Sequence, residues 1–166
     1  MKIQKCTKYY QLQNIIMNLS CKLLDFNSDE HQMSIEIRRQ ILRLPLGLNF
    51  TIDELENEVD QFHFAVFNGE DMLGVLLLKQ AVNGSFETLK MRQVAVLESV
   101  QGRGVGQYMV HFAEQWARSV NCRLIELHAR QTAVNFYLKM SYNLIGDEFQ
   151  EVGIPHFKML KYLSSN

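Results

Sequence analysis

Residues 94–106 read VAVLESVQGRGVG, with Gly102, Gly104 and Gly106 at alternate positions. Glycine loses the most backbone freedom on folding, so three together call for a reason. They fall where a strand-like run gives way to a helical one. The first turn of a helix leaves up to about four backbone N–H groups unpaired, and the helix dipole adds partial positive charge there. An anion with several oxygens, such as a pyrophosphate, satisfies both. Bare glycine backbone lets such a group approach the amides from Gln101 through Val105 to Gln107, and Arg103 adds charge at the rim. A glycine-rich turn that holds nothing explains the same residues. The Walker pattern requires Gly-Lys-Ser/Thr, which is absent. A dinucleotide fingerprint requires GxGxxG directly after a strand and an acid about twenty residues on. Glu126 has that separation from Gly106, but the spacing is GxGxG and the expected βαβ unit upstream is missing.

Acid–base chemistry has its own candidates. In RLIELHA, Leu124, Glu126 and His128 alternate and share one face of a strand. Burying an ionisable pair there is costly unless it is paired or used. Either residue can accept a proton, and His128 titrates in the useful range; a satisfied structural Glu–His pair is the competing reading. Glu98 is a third carboxylate, more simply a solvated loop charge. In GIPH, Pro155 interrupts a strand pattern and sets His156 at a bend or bulge. His31, His63 and His111 form no visible group, and no ligand spacing for a metal is present.

The elements that must position these residues follow from periodicity. A strand is expected over Lys2–Cys6, then a helix capped by Thr7 with Leu12, Ile15, Ile16, Leu19 and Leu23 on one face. SIEIRRQILRL reads as a second helix that stops near Pro45 and Gly47. Thr51 and Glu54 stand at capping-box spacing for a short helix. FHFAVF and MLGVLLLK flank Asn68-Gly69, a hairpin signal. TLKMRQVAVL is the next strand. Val105, Met109, Phe112, Trp116 and Val120 then define the apolar face of a helix, with His111, Gln115 and Arg118 turned away. RLIELHA is a strand, TAVNFYLKM a helix, and NLIGDEF and FKMLKYL two closing strands. The order predicts one domain over residues 1–166: α/β, with a mixed, mostly antiparallel central sheet flanked by helices.

Composition narrows the class. The chain has 166 residues, 47% hydrophobic and 21% charged, with a formal net charge of −1. That gives no electrostatic case for nucleic acid or an anionic membrane. Cys6, Cys21 and Cys122 are odd in number and far apart, which argues against a disulfide framework or a zinc site. No apolar run approaches the ~20 residues of a membrane span, and MKIQKCTKYY lacks a signal-peptide core. A cytoplasmic protein, monomer or homodimer, is expected.

VAVLESVQGRGVGQYMV resembles the acyl-CoA motif of the GNAT acetyltransferases, Q/R-x-x-G-x-G/A after a strand, with Gln101, Gly104 and Gly106 in the defined places. AVNFYLKMSY is similar to the family's helix-to-strand segment. RRQILRLPLGL and FQEVGIPHFKM resemble the N-terminal helix and the tail of its ElaA-like branch. The resemblance implies the acyl-CoA N-acyltransferase fold and acetyl-CoA as acyl donor. It implies that backbone groups of Val94, Ala95 and Val96 bind the pantetheine arm as an added strand would. Two positions depart from the family pattern: Arg130 stands where asparagine is frequent, and Ser141 where glycine is usual. Asn135 could supply the missing polar contact.

Acetyl transfer to an amine needs a proton acceptor, a hydrogen-bond donor for the carbonyl, and an acid for the leaving thiolate. Read alone, Tyr137 is a core tyrosine on an amphipathic helix; the resemblance makes it the acid. The resemblance also gives Glu151 and His156 a place near the acceptor. The expected function is acetyl-CoA-dependent N-acetyl transfer to a primary amine of a small molecule or peptide, by direct attack. The alternative is a catalytically silent acyl-CoA-binding regulatory module.

Overall fold

The computed structural model describes residues 17–82 and 84–164. Its strands are β1 (Leu19–Leu24), β2 (Phe62–Asn68), β3 (Asp71–Gln80), β4 (Thr88–Val96), β5 (Leu124–Arg130), β6 (Asn143–Glu151) and β7 (Ile154–Tyr162). They form one sheet in the spatial order β1-β2-β3-β4-β5-β7-β6. Only β4 and β5 run parallel; every other neighbouring pair is antiparallel. The mixed, mostly antiparallel sheet with flanking helices is therefore the one expected.

The helices are α1 (Asp29–Arg38), α2 (Ile52–Glu56), α3 (Val105–Ser119) and α4 (Val134–Lys139). A π-helical turn over Arg39–Arg43 and a 3-10 turn over Leu44–Leu46 extend α1 to Gly47. Ser28 caps α1 by accepting from the His31 amide at 3.1 Å, so this helix begins before SIEIRRQ. The capping box between Thr51 and Glu54 forms at α2. The hairpin between β2 and β3 also forms, with Gly69 and Glu70 as its two connecting residues.

The strands of the hairpin are buried along nearly their whole length, because helices cover both faces of the sheet. One apolar cluster joins Phe64, Leu76, Leu89 and Met91 to Met109, Val110 and Ala113 of α3. A smaller one joins Ala65, Val75 and Ala95 to Ile37 of α1. The buried stripe of α3 is rotated from the expected face: Phe112 and Trp116 lie at its edge, in tilted and edge-to-face contact with Phe62, Phe64 and Phe86. Glu114 is buried within that stripe, accepting from Lys161 Nζ at 2.7 Å and Tyr142 Oη at 3.1 Å.

Three expectations need correction or fall elsewhere. Leu19 and Leu23 lie in β1 and not in a helix. Leu19, Cys21 and Leu23 alternate with Ser20 and Lys22, a period-two pattern that pairs with β2, and this pairing overrides the spacing of three and four. The rest of that helix and the Lys2–Cys6 strand lie outside the described residues. His156 pairs regularly with Arg130 of β5, while on its other side it faces Phe149, where a bulge in β6 between Ile145 and Phe149 ends, so the irregularity expected at His156 is carried by the facing strand. Burial pushes the Cys21 thiol up to about 12 and raises that of Cys122, so both are poor nucleophiles. Among the described residues no helix is long and apolar enough to cross a membrane.

His31 and His63 do come together, which the sequence did not reveal. Their rings stand edge to face at 4.6 Å, beneath a buried ion pair between Arg38 and Glu58. Arg38 Nη1 donates to both Glu58 oxygens at 2.8 Å and to Gln93 Oε1 at 2.8 Å, while Gln93 Nε2 donates to Glu58 Oε1 at 2.7 Å. His31, Glu58 and His63 offer ligand atoms within 4.8 Å of one another. The donor set does not suit a cation. The Asn27 amide occupies Nδ1 of His31, the guanidinium neutralises Glu58, and only Nδ1 of His63 keeps a free lone pair.

Removing one member of this pair strands a buried charge, so Arg38→Met is expected to cost roughly 3–5 kcal/mol, and Arg38→Met with Glu58→Leu much less than the sum of the single changes. Urea unfolding of the two single variants and the double variant measures this. Burial, then the neighbouring charges of His63 and Arg38, lower His31 from 6.5 to about 4. The unfolded chain therefore binds a proton that the folded chain refuses between these values, and stability falls as pH drops through that window. Thermal melts of His31→Gln between pH 7 and pH 4 should show a shallower loss than the wild type.

Candidate active site

β4 and β5 pair only from Thr88 opposite Leu124 to Met91 opposite Leu127. Beyond Met91 a bulge interrupts β4, where Val75 pairs with Ala95 but Leu77 with Arg92. Gln93 sits in this bulge at φ 50°, a left-handed conformation rare outside glycine. Its side chain is the one held between Arg38 and Glu58. The two parallel strands part there, and a cavity of about 420 Å³ opens between them.

His128 points into this cavity from β5. Its Nδ1 lies 2.6 Å from Oε2 of Glu151, at the end of β6, and its Nε2 lies 3.4 Å from Nζ of Lys90 on β4. A carboxylate only accepts and an ammonium only donates, so neutral His128 carries its proton on Nδ1 and keeps a lone pair on Nε2. Burial opposes ionisation of Glu151, but the hydrogen bond and charge of His128, then His156 and Lys90, outweigh it and hold the carboxyl below its usual range. Glu151 reaches His128 from a tight turn made by Val152 and Gly153, at φ 49° and 77°. A β-branched residue at positive φ is strained by on the order of 1–2 kcal/mol, and Val152 also lines the cavity.

Tyr137 lines the same cavity from α4. Burial raises its phenol above the ordinary value, which keeps the hydroxyl protonated. His156 is buried at the cavity wall, with Nδ1 donating to the Ile154 carbonyl at 3.0 Å. Arg130 also lines the cavity and donates to the Leu42 carbonyl at 2.8 Å.

The glycine stretch lies at the end of β4. Gln101 Nε2 donates to the Val96 carbonyl at 2.8 Å and folds the loop against the strand. Gly102 and Gly104 have φ of 73° and 83°, and Gly104 is the N-cap of α3. A side-chain carbon at Gly102 would meet nothing within 4 Å, and at Gly104 only Gln107 Oε1 at 4.0 Å. The space before the first amides of α3 is thus open. Gly106 differs: a carbon there would stand 3.4 Å from the Phe136 ring, so this glycine lets α3 approach α4. Between Gln93 and Val96 the β5-facing side of β4 pairs with no strand among the described residues.

The structure gathers Tyr137, His128, Glu151, His156 and Val94 around one cavity, with Gln101 to Gln107 forming the loop beyond β4. Glu126 is not among the lining residues; it pairs with Lys158 at 3.0 Å. Asn135 and Arg103 are exposed and do not line it either. The sequence reading missed Lys90 and Arg92, although TLKMRQ alternates them with the buried Leu89 and Met91. It also missed Arg43, whose π-helical turn had no sequence signal.

The family model described as "Acetyltransferase (GNAT) family" matches residues 24–142. The uncharacterized N-acetyltransferase YjcF of Bacillus subtilis is 33% identical over 111 residues, 66% of this chain and 75% of that protein. YyaT of the same organism is 32% identical over 79 residues, and the match spans about half of each protein, 48% and 53%. Among solved structures, a putative N-acetyltransferase from Lactobacillus plantarum superposes with a TM-score of 0.74 at 19% identity, over 87% of this chain and 99% of that one. Escherichia coli ElaA superposes with a TM-score of 0.71 at 17% identity, over 86% and 99%. These two likenesses speak for the fold. Together with the parted β4 and β5 strands and the open glycine loop, the family match establishes that the chain belongs to the acetyltransferase (GNAT) family.

Proposed function

We propose that this N-acetyltransferase moves an acetyl group from acetyl-CoA to a primary amine by direct attack, with the cavity between β4 and β5 as the place of reaction. The observation that carries the reading is the end of β4–β5 pairing at Met91 and Leu127, directly beside His128 and Tyr137. The open backbone at Gly102 and Gly104, with the amides that follow, fits a pyrophosphate. The edge of β4 at Val94–Val96, which no described strand pairs and where Gln101 holds the Val96 carbonyl, fits an extended pantetheine arm. Acetyl-CoA bound there supplies an activated acyl thioester. The cytoplasm is the compartment that we propose, in keeping with two free thiols, Cys21 half-buried and Cys122 buried. The tail resemblance makes the ElaA-like branch the assignment we favour within the family.

The chain's own residues then have distinct tasks. His128 Nε2 accepts the amine proton, while Glu151 fixes the tautomer and stabilises the imidazolium that forms. Tyr137, held protonated by burial, donates to the departing sulfur. His156 borders the acceptor. Glu126 is occupied by Lys158 and is not given the role of base. One observation favours the silent-module reading: Lys90 already donates to the lone pair on which this mechanism depends. Release of free CoA thiol in the presence of amines separates the two readings, since a module binds acetyl-CoA without releasing it.

Gly104→Asp is expected to abolish acetyl-CoA binding in calorimetry, because it sets a carboxylate before the helix amides at a residue with φ of 83°. Unchanged affinity would remove the phosphate cradle. Tyr137→Phe should leave donor affinity intact and lower kcat by roughly 10². His128→Ala should lose both rate and the normal acid limb of the pH–rate profile, whereas Glu126→Gln should keep that profile. A wild-type profile in His128→Ala would assign proton removal to another group or to water.

A further inference from the structure

The charge on the cavity wall is unbalanced. Arg43, Lys90, Arg92 and Arg130 all line it, whereas Glu151 is the one lining carboxylate among the described residues. Arg43 is matched by Glu54 at 3.0 Å, and Glu151 is engaged with His128. The other three cations meet neutral partners. Arg92 donates to Gln61 Oε1 at 3.1 Å, Arg130 to the Leu42 carbonyl, and Lys90 to the His128 ring. Four cations against two carboxylates, Glu54 and Glu151, leave the wall two charges positive, in a chain whose overall formal charge is −1. Burial, then the like charge of Arg43, presses against ionisation of Arg130. The charge of the buried Arg38 is matched by Glu58.

Cations held in a partly desolvated cleft without counter-charge are costly unless something binds there, and the cleft concentrates their field. The CoA phosphates do not answer this need, since no residue of the 97–107 loop lines the cavity. We propose that the acceptor carries a carboxylate close to its amine: it is a free amino acid or a small molecule of that type, with the carboxylate on Arg92 and Arg130 and the amine toward His128. Lys90 is then drawn from His128 Nε2 by the incoming carboxylate, which frees the lone pair for the amine proton. The proposal rests on the reading of this cavity as the acceptor site.

The test compares amines that differ by one carboxylate: lysine with 1,5-diaminopentane, and phenylalanine with 2-phenylethylamine, each with acetyl-CoA and a free-thiol readout. A tripeptide with a free N-terminus, whose carboxylate is remote, separates peptide ends from free amino acids. At least one carboxylate-bearing amine is expected to exceed its partner in kcat/KM by about tenfold or more, the scale of a charge-assisted hydrogen-bonded pair. Arg92→Gln should lower kcat/KM for the carboxylate-bearing amine at least about tenfold more than for its carboxylate-free partner, and so erase the preference, and Arg92→Lys should restore part of it. Preference for the carboxylate-free amines, or for the tripeptide, would overturn the proposal while leaving acetyl transfer intact. If no amine releases CoA, the transfer reading fails. Calorimetry of N-acetyl-phenylalanine and N-acetyl-lysine on the wild-type protein then decides the anion site. Binding weakened tenfold in Arg92→Gln supports the site, and no binding overturns it.

Discussion

A three-way contact among Arg38, Glu58 and Gln93 governs the geometry of the site. It joins α1, the segment after α2, and the middle of β4. A residue at φ 50° inside a strand needs its surroundings to hold it there. The buried ion pair does so by gripping the Gln93 side chain from both ends. Because Gln93 is held in the bulge, β4 cannot keep its register with β5, and the two parallel strands separate where the sheet would otherwise be closed. A buried ion pair is weak evidence for stability in general. Its use here is geometric, since an apolar pair of the same size would fill the volume without gripping an amide.

The Glu151–His128 contact shows a second use of local strain. Val152 is a poor choice for a two-residue hairpin turn, where asparagine or glycine takes positive φ with less cost. The turn brings a carboxylate from the sheet's edge across to His128 on β5. Ser141 repeats the pattern at φ 67° after α4, in the place where the family usually carries glycine. Backbone in sparsely populated conformations thus flanks both the histidine's partner and the tyrosine's helix.

Much of this was legible in the sequence. Long elements with clear period, from FHFAVF to RLIELHA, fall as expected, and the glycines do mark the passage from β4 to α3. Tyr137, His128, Glu151 and His156 were all singled out, although nothing in their order along the chain showed that Glu151 would contact His128. That contact depends on β7 lying between β5 and β6, and strand order across a sheet leaves no mark in local pattern. The Arg38–Glu58–Gln93 network was hidden for a similar reason: RRQ, NEV and MRQ read as ordinary polar stretches. β1 was misread because a short edge strand with four apolar residues, Leu19, Cys21, Leu23 and Leu24, fits either period.

The position of β7 has a consequence for how the protein comes into being. β6 precedes β7 in the chain but lies outside it in the sheet, so β6 has nothing to pair with until residues 154–162 are available. During synthesis β5 therefore waits with one side bare while about thirty residues follow it from the ribosome, and the insertion of β7 closes the sheet on both sides in one event. His128 gains its carboxylate partner only at that event. A nascent chain halted before β7 could already present the glycine loop and the parted strands, yet it would hold a histidine with no fixed tautomer.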